Sequence, residues 1–367
     1  MQIDIIIPSF RVDERYIVPI LNLRKPADIA VHFYVVIDDP SAVIPASVRD
    51  CSLRHDVTLL VNAHNAGAAA SRNRGIEAGA GEWILFLDDD ISVEQGLLEI
   101  YADAIRAGAG ETGFIGLIRL PAAESSFTKA IEASGSMDIF GIAAHKGDHA
   151  WGATANTLVR RDAIGAIRFS LKFPHSGGGE DVDFFLRVRE HNQFRNFKTL
   201  RLAAVQHPWW NNKKVNFRRP FRYGIGNSLL PELNPSYAYR DFPNTIEVLF
   251  LCLLALPLIW LLNASLIAPL LWFMAGAIAI DLFATLVQSF KRVRPWSLSV
   301  FFYLIPLRLV HELGVLTGNL SRFRLFAIGE RFHYDGKQRK IYFYRTNTHK
   351  IVKWLLYPVL IYLCFFR

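Results

Sequence analysis

Short apolar runs, separated by polar or alanine-rich stretches, fill the chain up to about residue 208. Ile3 to Ile7, Val31 to Ile37, Val57 to Val61 and Trp83 to Leu87 are apolar almost without interruption. That is the pattern of strands covered on both faces, as in parallel sheets, whereas one-sided strands alternate. Helix-like stretches lie between these runs. The order therefore predicts βαβ units and an α/β fold, a mainly parallel central sheet flanked by helices. Beyond Asp90 the pattern predicts a helix from near Val93 to Ala107 and a strand from Gly113 to Leu120, then looser chain rich in Gly and Ser.

From Ile246 the pattern changes. "IEVLFLCLLALPLIWLL" and "ASLIAPLLWFMAGAIAIDLFATLVQ" are separated by Asn263, and each is long enough to cross about 30 Å of hydrocarbon as a helix. They predict a transmembrane hairpin over 246–290. Asp281 within it would cost roughly 2.5–3.5 kcal/mol at the bilayer centre, so it is expected to face the protein interior. A third apolar segment, Leu298 to Leu316, carries Arg308, His311 and Glu312 on one helical face. Lys291, Arg292 and Arg294 precede it, and Arg322, Arg324, Arg331, Lys337, Arg339, Lys340, Arg345 and Lys350 follow. If basic flanks stay inside, this segment does not cross once but lies in the membrane plane or re-enters. The expected organisation is a catalytic domain over 1–210, an interfacial basic and aromatic linker over 211–245, the hairpin, and a membrane-associated region over 291–367.

Composition sharpens this picture. A net charge of +8 with 51% hydrophobic residues excludes a wholly soluble protein. Cys51, Cys252 and Cys364 are far apart and show no metal-ligand spacing, which fits a reducing compartment. The N-terminal "MQIDIIIPSF" has neither a basic start nor a long apolar run, so the first domain is expected on the cytoplasmic side of the cell (inner) membrane, anchored by a multi-pass tail.

The candidate chemistry gathers at strand ends, where ligands of open parallel sheets bind. The fourth run ends on Asp88, Asp89 and Asp90; alternation lets Asp88 and Asp90 point together at a hard divalent cation, Mg²⁺ or Mn²⁺. A polar turn that caps the next helix accounts for the same letters. The first run ends in Pro8 and Ser9, and the second in Asp38, whose carboxylate suits a base N–H or a ribose hydroxyl. "NAGAAASRNRGIEAG", from Asn65 through Gly67 to Arg72 and Arg74, offers close backbone approach and arginines for a diphosphate, or simply an amphipathic helix. In "HSGGGEDVDFFLRV", glycines precede Glu180, Asp181 and Asp183; acids there favour a helix start, and one of them could serve as a general base. His207 follows a strand-like run and is either structural or a further metal ligand.

Taken in order, "IIIPSF", "VVIDDP", "NAGAAASRNRGIEAGAGEWILFLDDD", "WGATANTLVRRDAI" and "GEDVDFFLR" resemble the family-2 inverting glycosyltransferases of the GT-A fold. The resemblance covers about the first 210 residues. It implies a nucleoside-diphosphate sugar as donor, contacted by Pro8, Ser9, Asp38, Asn65, Gly67, Arg72, Asp88 and Asp89. It also implies a metal at Asp88 and Asp90, to which His207 is a further candidate ligand, and catalysis by Asp181 at the acceptor hydroxyl; Trp151 and Glu180 are expected in the acceptor region. Pro40 and Ser41 depart from the Gly and Ser usual after the second-strand acids, and no Q-x-x-R-W motif of processive synthases is present. "HPWWNNKKVNFRRPFRYG" interleaves Trp209, Trp210, Phe217, Phe221 and Tyr223 with basic residues. This stretch is expected to rest on the membrane, with Arg218, Arg219 and Arg222 binding the phosphate of a lipid-linked acceptor used in surface polysaccharide or glycan synthesis. Nucleic acid is not an expected partner. The competing readings are a nucleotidyltransferase, which would carry a glycine-rich basic loop where "PSFRVDER" stands, and a non-catalytic membrane scaffold.

Overall fold

The computed structural model describes residues 1–108, 110–175, 177–209, 213–337 and 348–366; Trp210, Arg339, Lys340 and Arg345 lie outside them. The chain divides into two compact units.

The first unit comprises 1–122, 137–212 and 334–337 and is built on one nine-stranded sheet. Its strands are β1 (Gln2–Ser9), β2 (Ala30–Ile37), β3 (Val57–Val61), β4 (Trp83–Leu87), β5 (Ser92–Val93), β6 (Gly113–Arg119), β7 (Asp148–His149), β8 (Asn156–Arg160) and β9 (Phe197–Gln206). The main path runs β3-β2-β1-β4-β8-β6-β9-β5, with β7 paired to β9. The four expected strands form the parallel half. The other half is mixed: β4–β8, β6–β8, β5–β9 and β7–β9 are antiparallel, and β6–β9 is parallel.

Both faces of the parallel half are covered, which is why those runs do not alternate. On one face Ile5, Ile7, Phe33, Val35, Leu85 and Leu87 are buried with Ile17, Ile20, Leu98 and Tyr101. On the other, the Phe86 ring meets Phe169, Phe184 and Phe185 edge-on, and Phe169 stacks on Phe184 at 3.9 Å. Gly75 lets the helix Ala68–Ala78 lie directly on β1, since a Cβ there would come within 2.5 Å of Ile6. The helix expected from Val93 begins instead at Leu97. Ser92 and Val93 are drawn into pairing with Gln206 and Val205, so tertiary pairing overrides the local helical pattern.

The second unit comprises 123–136, 213–333 and 338–367. It holds the two-stranded sheet β10 (Ala238–Arg240) and β11 (Glu330–Phe332) and the helices Thr245–Leu262, Ile267–Arg292, Leu298–Ser321 and Thr348–Phe365. Asn244 and Glu247 form a reciprocal capping box at the start of the first of these helices. Among the described residues three helices are long and apolar enough to cross a membrane, with Trp260, Leu262, Trp272 and Phe283 exposed on them. Asp281 is 1% exposed and is paired with Arg308 and, at 2.6 Å, with Lys353, so the acid in this apolar helix is buried with cationic partners. The basic helix Arg218–Asn227 crosses Leu298–Ser321 where Gly224 meets Gly314 backbone to backbone.

Candidate active site

The strand order sets β1 between β2 and β4, so the residues after their carboxyl ends become neighbours. The Asp38 amide donates to the Ser9 carbonyl at 2.7 Å. Ser9 Oγ donates to Asp89 Oδ2 at 2.7 Å. Next to them, β5 does for Asp90 what its two residues alone suggest poorly: pairing Ser92 with Gln206 brings Asp90 Oδ1 within 3.3 Å of His207 Nε2.

Asp88, Asp90 and His207 each offer one ligand atom, all within 4.8 Å of one another. The donor chemistry fits a divalent cation. His207 Nδ1 lies 2.7 Å from the Pro208 carbonyl, an acceptor, so it carries the proton and leaves the Nε2 lone pair facing Asp90. The 3.3 Å separation of Asp90 Oδ1 and His207 Nε2 has room for a cation bound by both, and two carboxylates with one imidazole are a donor set compatible with a divalent metal.

Asp89 turns away from the other two acids toward Ser9, as strand alternation anticipates, and burial raises its pKa above the usual carboxylate value. Arg72 is 5% exposed and bridges Asp88 Oδ1 at 3.0 Å and Glu180 Oε1 at 3.3 Å, while its Nε has no partner. One guanidinium thereby ties the fourth-strand acids to the start of the helix Glu180–His191. Gly177, Gly178 and Gly179 all have left-handed φ values, a backbone path that other residues resist. The path lets the Gly178 amide donate to Glu180 Oε2 at 2.7 Å and leads straight into Asp181. Asp181 is partly exposed; desolvation, helped by the neighbouring Glu180, pushes its pKa up to about 7.

Several expected ligand contacts lie inside the protein instead. Asp38 accepts from Asn62 Nδ2 and from the Ala66 and Gly67 amides at 2.7–2.9 Å and is 5% exposed, so it shapes the 62–67 loop. Arg74 binds the Val61 carbonyl and Asn62 rather than presenting itself to a diphosphate. Trp151 is 8% exposed and its indole donates to the Tyr334 carbonyl at 2.7 Å, so the ring is covered rather than offered as an acceptor platform. Trp209 is likewise no interfacial residue: it is 3% exposed and donates to the Pro121 carbonyl. Asn65 is exposed and Pro8 half-buried. Gly67 has φ 89° and packs against the His175 carbonyl, which joins its loop to the one before Asp181. Arg218, Arg219 and Arg222 belong to the second unit. Sequence reasoning missed Arg11, which reaches Asp90 Oδ2 at 3.0 Å; a single arginine in a turn leaves no periodic signal. It also missed Asn62, whose amide joins Asp38 to Ser71.

Residues 4–163 match the model of glycosyl transferase family 2. A curated relative from Haemophilus influenzae, described as an uncharacterized glycosyltransferase, is 36% identical over 88 residues, which is 24% of this chain and 29% of the relative. The match thus spans under a third of that protein's length. Among solved structures, Staphylococcus aureus TarS 1–349 has a TM-score of 0.45 at 13% identity, covering 88% of this chain and 92% of that one. The same protein in complex with UDP has a TM-score of 0.43 at 14% identity, with the same coverage.

Proposed function

We propose that the protein, whose residues 4–163 match the model of glycosyl transferase family 2, transfers a sugar, with inversion, from a nucleoside-diphosphate sugar to a lipid-linked acceptor. The observation that carries this reading is the Arg72 bridge. It ties a metal-competent cluster to the helix start that presents a carboxyl with a raised pKa.

In the proposed reaction Asp181 takes the proton of the acceptor hydroxyl as that oxygen attacks the anomeric carbon and the bond to the diphosphate breaks. A base works best with a pKa near the working pH, which is the direction in which burial moves Asp181. Asp88, Asp90 and His207 would hold Mg²⁺ or Mn²⁺, which would supply positive charge to the departing diphosphate. Asp38 acts on the donor through the loop it fixes, and Ser9 through Asp89. Glu180, held by Arg72 and Gly178, keeps the helix start in place.

A lipid acceptor is supported by the second unit. The helix Arg218–Asn227 carries Arg218, Arg219 and Arg222 with Phe221 and Tyr223, a composition that favours anionic headgroups. The course proposed for this unit is a hairpin that spans, followed by an in-plane or re-entrant Leu298–Ser321, because basic residues flank that segment on both sides. The test is donor profiling of the purified full chain with Mn²⁺, comparing a polyprenyl phosphate acceptor with soluble sugars, in wild type and in Arg218→Gln/Arg219→Gln. Transfer to the lipid acceptor that falls in the double variant, while slow donor hydrolysis persists, supports the assignment. Equal transfer to soluble sugars, unchanged in the variant, refutes it.

A further inference from the structure

The turn after β1 is strained. Val12 has φ 48°, a left-handed conformation costly for a β-branched residue, and strain of this kind collects at functional sites. Two contacts hold it there: the Val12 amide donates to Ser9 Oγ at 3.1 Å, and its side chain is 2% exposed in the core. With Val12 folded inward, Arg11 projects outward, 63% exposed, with Nη2 at 3.0 Å from Asp90 Oδ2 and 3.6 Å from Asp89 Oδ1. The remaining oxygens of these acids face elsewhere, Asp90 Oδ1 toward His207 and Asp89 Oδ2 toward Ser9. Arg11 thus touches the Asp90 oxygen other than the one that faces His207. Arg72, the other arginine at these acids, is buried between Asp88 and Glu180.

Resting on the donor-site reading above, we infer that Arg11 binds the diphosphate of the donor. Among the described residues it is the exposed cation in contact with these acids, held by the strained turn, with N–H donors left over for phosphate oxygens. A guanidinium suits this task because its planar fork matches phosphate geometry and stays charged. Its charge also lowers the negative potential of Asp88, Asp89 and Asp90. Its removal therefore acts in opposite directions, making the acids a stronger attractor for a cation and a weaker site for an anion.

The test uses the detergent-solubilised full chain as wild type, Arg11→Gln and Arg11→Lys. Each is titrated with Mn²⁺ alone, then at saturating Mn²⁺ with UDP, GDP, dTDP and CDP and with the matching nucleosides. For the diphosphate that wild type binds best, Arg11→Gln should weaken binding about tenfold or more, the scale of one charge-assisted contact. Nucleoside affinity should hold, Mn²⁺ alone should bind at least as tightly, and Arg11→Lys should recover most of the diphosphate affinity. Unchanged diphosphate affinity in Arg11→Gln overturns the inference, as does an equal loss for nucleoside, or a parallel loss of Mn²⁺, which would mark Arg11 as a mere support for the acids. A wild type that binds none of the diphosphates overturns the donor-site reading itself, a result distinct from binding that ignores Arg11.

Discussion

Replacing Asp181 with Asn should stabilise the protein at high pH while abolishing turnover. An unfolded chain releases this proton near 3.8, whereas the folded protein holds it to about 7. Between those values the folded state binds more protons than the unfolded state, so stability falls as pH rises and levels off above about 7. At about 1.4 kcal/mol per pKa unit, the desolvated carboxyl costs roughly 4 kcal/mol at pH 8.5, where it is ionised, and roughly 2 kcal/mol at pH 5.5, where the folded protein keeps the proton that the unfolded chain releases. Asn carries no such charge. The stability of Asp181→Asn relative to wild type should therefore improve by about 2 kcal/mol between these two pH values. Urea unfolding of the solubilised full chain, followed by tryptophan fluorescence, measures this difference. Wild-type turnover should rise with pH along a limb centred near 7, where the base ionises, and should be lost by orders of magnitude in the variant. A variant whose relative stability ignores pH would refute the buried-base argument, and wild-type turnover would remove Asp181 from the chemistry.

Arg72→Gln should lower stability by about 3–5 kcal/mol, because it leaves Glu180 and Asp88 without their shared cation; Arg72→Gln/Glu180→Gln should recover part of that loss in the same urea assay. Gly67→Ala should lower the midpoint of thermal unfolding, since its Cβ would lie 2.7 Å from the His175 carbonyl at a positive φ; an unchanged midpoint would mean that the two loops are not packed as described. In a background without the three native cysteines, Cys at Asn263 should react with an impermeant reagent added to intact cells, and Cys at Ser297 should not, if the hairpin places its turn outside.

The parallel half of the sheet was legible because burial on both faces leaves unbroken apolar runs, as at Trp83–Leu87. The mixed half was legible only in part: the strand expected over Gly113 to Leu120 forms as β6, and the strand-like run before His207 is the end of β9, whereas the pieces that pair with β9 left no signal. β5 and β7 are two residues long, too short to show a period, and exist through pairing with β9, which lies more than 100 residues beyond β5 in the chain. Among site residues, Asp88, Asp90 and His207 were legible as a candidate set because their chemistry is specific, and the structure brings their ligand atoms together. Asp38, Trp151 and Trp209 take partners inside the protein that the sequence did not suggest, for one reason. A polar or amphipathic side chain at a strand end or in a loop is equally suited to a ligand and to the backbone of a distant segment, and only the fold decides between them. Tyr334, which caps Trp151, lies 183 residues away. Arg11 escaped notice because its importance comes from the turn at Val12, and no residue letter announces a strained φ.

The central claim is that Asp88, Asp90 and His207 form a metal site at which a nucleoside-diphosphate sugar is bound and cleaved. Its most direct test is calorimetric titration of the solubilised full chain with UDP, GDP, dTDP and CDP, with Mn²⁺ and with EDTA, in wild type and Asp90→Ala. The account predicts that at least one diphosphate binds wild type with Mn²⁺ present, that EDTA removes this binding, and that Asp90→Ala binds weakly whether or not Mn²⁺ is added. Diphosphate binding that is equally tight in EDTA, or that survives in Asp90→Ala, would contradict it.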